Sequence, residues 1–185
     1  ECHQVGLGGT MTAESVPTLE LLPAGEDVMP DRSLLLLLDE VRGKTLRLLQ
    51  DVIDQDARWT PPGLSNHLLW HGGHAYVLLE WLAMHAVGEL PHLPHRWMEM
   101  FGWESHPASV PTSEWPPVSR VAEELKRQHA RVRHLIGDLT EDRLASPAPG
   151  NPHHTIRYAL LHALHDEACH SGEMWLLRKM LKARK

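Results

Sequence analysis

Four stretches of the chain place apolar residues at the roughly 3.6-residue period of an α-helix, and segments without any period separate them. The first stretch puts Leu34, Leu37, Leu38, Val41, Leu48, Leu49 and Val52 on one stripe. It predicts a helix capped by Asp31 or Ser33 and running to about Gln55. Arg58-Trp-Thr-Pro-Pro-Gly then forces a break, because proline lacks the backbone donor and its ring clashes with the preceding turn. A second helix is predicted from about Ser65 to Gly88, carrying Leu68, Leu69, Val77, Leu78 and Trp81 together with His67, His71 and His74. A third runs from Val118 or Ser119 to Ile136 and is charged on its outer face. Thr155 can cap a fourth that reaches about Ala183, with basic residues at its C-terminal end, where the helix dipole favours cations.

The segments between these helices shape the rest of the picture. Residues 89–117 hold six prolines and the tryptophans Trp97, Trp103 and Trp115 with no clean period. A connection this long inside a compact domain is usually functional or a lid. A Pro/Gly-rich break covers Ser146 to Pro152, and neither a strand pair nor an internal repeat is evident. Residues 1–30, with Gly6, Gly8, Gly9, Pro17, Pro23, Gly25 and Pro30, read as a flexible N-terminal arm. The expected fold class is therefore all-α: a four-helix bundle over residues 31–185 with one long crossover connection.

Bulk properties narrow the function. The length of 185 residues fits one domain, and 42% apolar residues fit a globular core. A formal charge of −6 argues against general affinity for nucleic acid or an anionic membrane. No apolar run approaches the ~18 residues of a membrane span, and residues 1–10 lack a signal-peptide pattern. Cys2 and Cys169 lie too far apart in sequence to imply a disulfide framework, so a cytoplasmic setting is the expectation. The anomaly is the content of 15 histidines.

The densest chemistry lies in residues 162–173, His-Ala-Leu-His-Asp-Glu-Ala-Cys-His-Ser-Gly-Glu. On a helix, His162, Asp166 and His170 stack on one face, successive members about 40° apart around the axis and about 6 Å along it. That spacing lets two side chains share one divalent ion. Asp166 and His170 form the natural pair, with His162 and His165 as competitors. Their face continues through Ala159, Ala163, Met174, Leu177 and Leu181, so the two are polar intruders on a core-facing stripe. A buried carboxylate needs neutralisation, which a metal ion supplies directly. Gly172 offers room for a neighbouring helix. The third ligand is expected from His67, His71 or His74, which share one face of the second helix. An intrahelical pair between Asp166 and a protonated histidine is the competing account.

Three segments resemble the DinB/YfiT-like family of four-helix-bundle metalloproteins: Arg58-Trp-Thr-Pro-Pro-Gly, Asn66-His-Leu-Leu-Trp-His-Gly-Gly-His, and Asp166-Glu-Ala-Cys-His-Ser-Gly-Glu. The resemblance implies His74, Asp166 and His170 as metal ligands, with His71 as the alternative to His74 in some branches. The family usually has histidine where this chain has Asp166, and glutamine where it has Glu173. Relatives similar to mycothiol-dependent maleylpyruvate isomerase use Glu at the first of these positions. Asp is one methylene shorter, and His165 would replace it only through a local change of helix winding.

From the resemblance follow a divalent ion (Zn or Ni, with Mn or Fe as alternatives), a low-molecular-weight thiol such as bacillithiol or mycothiol as cosubstrate, and a homodimer. The expected activity is a metal-dependent thiol S-transferase acting on a small molecule. In that account residues 89–117 shape the substrate pocket, and Glu167 or His71 supports the ligands or carries a proton. The alternative is a non-catalytic stress- or DNA-damage-inducible metal-binding protein.

Overall fold

A computed structural model describes residues 32–184, and within them the four predicted helices form. They are α1 (Arg32–Leu49), α2 (beginning Leu68–Leu78), α3 (Val118–Gly137) and α4 (Ile156–Ala183). Helix α2 continues through a π-helical stretch, Leu79–Met84, and a last α-turn, His85–Val87, and stops at Gly88 in the left-handed conformation (φ 90°). Helices α1 and α2 each pack against both α3 and α4. The result is the expected all-α bundle, and no described helix is long and apolar enough to cross a membrane. The predicted N-terminal arm and the capping role of Asp31 lie outside the described residues.

Several boundaries differ from the sequence expectation for local reasons. Helix α1 ends at Leu49 rather than near Gln55, because Asp51 adopts a left-handed backbone (φ 58°) that a short polar side chain tolerates. Ser33 lies inside α1 instead of capping it. Helix α2 starts three residues later than predicted, with His67 as its cap: the ring Nδ1 accepts the Trp70 N–H at 3.0 Å. Helix α3 has Pro117 at its N-cap, which has no side-chain cap to offer. Asp54, in the short helix Asp54–Ala57, supplies one from across the fold by accepting the Val118 N–H at 2.8 Å. Thr155 caps α4 as predicted, accepting from Tyr158 N–H. Just before it, β1 (Pro147–Ala148) and β2 (Asn151–Thr155) form an antiparallel hairpin around Gly150 (φ 79°), a strand pair that the Pro/Gly-rich sequence conceals.

The apolar interior has two clusters. One contains Leu49, Leu69, Trp70, Phe101, Val121, Leu125 and Met174; the other contains Leu34, Leu38, Met84, Val132, Ile156 and Leu164. A buried polar layer is drawn from all four helices; on α1, α3 and α4 it lies between the two clusters in sequence, and on α2 Glu80 follows Leu79 of the second cluster. Arg42 of α1 forks onto both carboxylate oxygens of Glu167 in α4 at 2.8 Å, and also donates to Gln128 of α3 and the Leu125 carbonyl. Gln128 in turn donates to Glu80 at 2.8 Å and to the Tyr76 carbonyl, both from α2. Glu80 belongs to the π-helical stretch and also pairs with Arg131. Burial of this much charge is tolerated because each acceptor has a donor.

The long connection 89–117 folds back over the bundle. Its short helix Trp97–Phe101 packs against α2, and Trp97, Phe101 and Trp115 are buried. Trp103 instead is half exposed, against Trp81 at 5.9 Å between ring centroids.

Candidate metal centre

The first turns of α2 set His67, His71 and His74 on the interior, and all three are buried. Opposite them α4 presents Asp166, His170 and Glu173. Helical spacing does the rest: α4 brings Asp166 within 3.4 Å of His170 Nε2 and Glu173 within 2.8 Å of His170 Nδ1. His71 reaches across to the same ring, its Nδ1 3.0 Å from His170 Nδ1. Two overlapping groups of donor atoms result, His74–Asp166–His170 and His71–His170–Glu173, with the atoms of each group within 4.8 Å of one another.

The first group is the set expected from the sequence, and the structure brings its three members together. The shorter Asp166 side chain reaches the cluster without any distortion of α4. His165 and His162, the competitors on α4, are exposed and turned to other partners. His165 lies 3.8 Å from Cys169 Sγ, and His162 stacks on Tyr158. Gly172 is not a point of close approach, since a Cβ there would meet nothing within 4 Å. The close approach occurs at Gly73, where a Cβ would lie 2.2 Å from the Phe101 ring.

The surroundings of His74 fix both its tautomer and its orientation. Its Nδ1–H donates to the backbone carbonyl of Phe101, which leaves the Nε2 lone pair free. The indole of Trp70 stacks on the imidazole at 4.4 Å, and Trp70 is itself anchored by a 2.8 Å hydrogen bond to Ser105. Both Phe101 and Ser105 belong to the long connection, so that segment positions the cluster. Glu167 has no comparable freedom. Both its oxygens are engaged by Arg42, so the proton-carrying role considered for it is not open to it.

Electrostatics keep the α2 histidines neutral. Burial lowers the His71 pKa to about 3, helped by repulsion from His170, His74 and His67. Burial also takes His67 to about 4, with the Arg58 charge contributing. For His74 the same desolvation prevails over the Phe101 hydrogen bond and the nearby Asp166 and Glu173 charges, so its pKa is lowered too. At neutral pH these rings carry lone pairs rather than positive charge, the state a metal ligand needs. Among the described residues two buried side-chain atoms make no hydrogen bond, His67 Nε2 and Asp166 Oδ2, and only the second is a carboxylate oxygen. A buried carboxylate oxygen without a hydrogen-bond partner is costly unless a cation compensates it. The residues present therefore fit a divalent ion.

Glu173 is the member that the sequence did not single out as a ligand. Its only signal was position, three residues after His170 on α4.

A helical bundle with a histidine–carboxylate cluster between facing helices belongs to a class that builds metal sites in its interior. The chain belongs to the DinB superfamily, whose sequence profile matches residues 37–174. Its fold is similar to that of a solved structure of a conserved protein from Enterococcus faecalis (TM-score 0.68, 18% identity), with 82% of this chain and 96% of that one covered. No curated protein matches the chain.

Proposed function

We propose that this DinB-superfamily chain holds a divalent ion, of the Zn or Ni type, through His74, Asp166 and His170, and uses the site for thiol S-transfer to a small electrophile. The observation that carries the metal reading is the buried Asp166 Oδ2, which has no hydrogen-bond partner and faces His170 across 3.4 Å. Two imidazoles and one carboxylate leave coordination positions open, as catalytic sites do and closed structural sites do not. When bound, such an ion lowers the pKa of a coordinated thiol, so that thiolate forms near neutral pH.

The chain's own residues supply binding and orientation. Phe101 and Trp70 hold His74 in one tautomer and one rotation. The exposed Glu173, 2.8 Å from His170 Nδ1, sits on the solvent side of the cluster. Phe101 and Ser105 of the 89–117 connection flank the cluster and hold His74 and Trp70 in place.

The test is metal content and conjugation together. Untagged protein purified under mild conditions should carry a stoichiometric divalent ion, and should conjugate a low-molecular-weight thiol to a chromogenic aryl halide. Chelation should abolish turnover and metal addition restore it, whereas activity indifferent to metal would reject the transferase reading.

A further inference from the structure

His170 presents its two ring nitrogens to two different sets of donors. Nε2 faces Asp166 Oδ2 at 3.4 Å, and Nδ1 faces Glu173 Oε2 at 2.8 Å and His71 Nδ1 at 3.0 Å. The third side of that second triangle, His71 Nδ1 to Glu173 Oε2, is 3.3 Å. An ion about 2.1 Å from three donors spaces them about 3.0 Å apart at right angles and about 3.4 Å apart in a tetrahedron. Edges of 2.8, 3.0 and 3.3 Å therefore already have the size of a metal-binding face.

Protons do not satisfy this triangle well. One proton on His170 Nδ1 makes a good bond to Glu173 and leaves the His71 lone pair facing the same point. A second proton, on His71, would set two N–H groups 3.0 Å apart. His71 is 3% exposed, so water offers it little relief. Glu173 is open to solvent, so an ion there would keep free coordination positions on one side.

We propose that His71, His170 Nδ1 and Glu173 form a second divalent-cation position, and that His170 bridges the two ions through its opposite ring nitrogens. This rests on the His74–Asp166–His170 reading above, since the shared ring needs an ion on Nε2 to act as a bridge. Occupying the second position displaces the His170 Nδ1 proton, and the ring becomes an imidazolate held between two cations. The two ions supply the charge that stabilises that anion.

Zinc titrated into the full, untagged, metal-free chain tests the arrangement, with bound metal measured after gel filtration and proton release followed in weak buffer. The expected result is two ions per chain, the second releasing one proton. Glu173→Gln, on the exposed side of α4, should weaken the second ion about tenfold or more and leave the first in place. Asp166→Asn should weaken the first instead. Copper(II) in both positions should show magnetic coupling through the ring. Saturation at a single ion that responds to Asp166→Asn but not to Glu173→Gln overturns the second position and spares the site of the proposed function. A single ion that responds only to Glu173→Gln, or no bound ion, overturns both. Two ions insensitive to both variants, or two uncoupled copper signals, overturn the shared-histidine arrangement.

Discussion

The backbone carbonyl of Phe101 accepts the Nδ1–H of His74, and the Phe101 ring lies against the α-carbon of the residue before it, Gly73. One aromatic residue of the long connection thus sets both the tautomer of a candidate ligand and how closely the connection approaches α2. The absence of a side chain at Gly73 is what permits that approach.

Gly73→Ala should therefore damage the site as well as the packing. The new methyl would sit 2.2 Å from the Phe101 ring, so Phe101 has to retreat and its carbonyl with it. We expect a loss of about 1–3 kcal/mol in urea unfolding of the metal-free chain. Metal affinity should fall about 10- to 100-fold, as when the outer partner of a ligating histidine is lost. By contrast, Gly172→Ala should cost nothing measurable, because its Cβ meets nothing and alanine is the better helix former.

The fork between Arg42 and Glu167 is fully buried, so removing one partner strands a charge in the core. Glu167→Leu alone should destabilise the chain by about 3–5 kcal/mol. The double change Arg42→Met with Glu167→Leu should recover much of that loss. Chemical denaturation of the four proteins of the cycle measures the coupling. Additive single losses would show that the pair does not act as a unit.

Acidification should weaken the fold through His67. Its Nδ1 accepts the Trp70 N–H, so the capping bond requires the neutral ring. The folded pKa of about 4 lies below the ordinary value of 6.5, so the unfolded chain binds the extra proton between those pH values. Stability is then full above about 6.5 and falls as pH drops toward about 4, by up to about 1.4 kcal/mol per pH unit. His67→Asn keeps a capping acceptor without the titration, and should make the stability–pH curve of the metal-free chain shallower over that window, leaving the contributions of the buried His71 and His74. A curve as steep as that of the parent protein would assign the acid sensitivity to other groups.

Much of this was legible in the sequence because it is local. Apolar periodicity located four helices, Thr155 announced the start of α4, and the i, i+4 spacing of Asp166 and His170 marked the face of α4 that carries the candidate donors. What stayed hidden depends on contacts between distant segments. Arg42, Glu80 and Gln128 do not stand out in sequence, and only assembly of four helices makes them a buried network. The π-helical turn that places Glu80 has no compositional mark. Gly172 and Gly73 look equivalent on paper, yet only Gly73 meets another segment. Glu173 became a candidate donor because His71 arrives from α2 to complete its triangle.

Anomalous scattering from crystals of the chain loaded with zinc tests the central claim most directly, since it locates the ion relative to named atoms. The account predicts a peak about 2.0–2.2 Å from His74 Nε2, His170 Nε2 and an oxygen of Asp166. Crystals at full occupancy with the ion elsewhere, and with Asp166 Oδ2 still unligated, would contradict it.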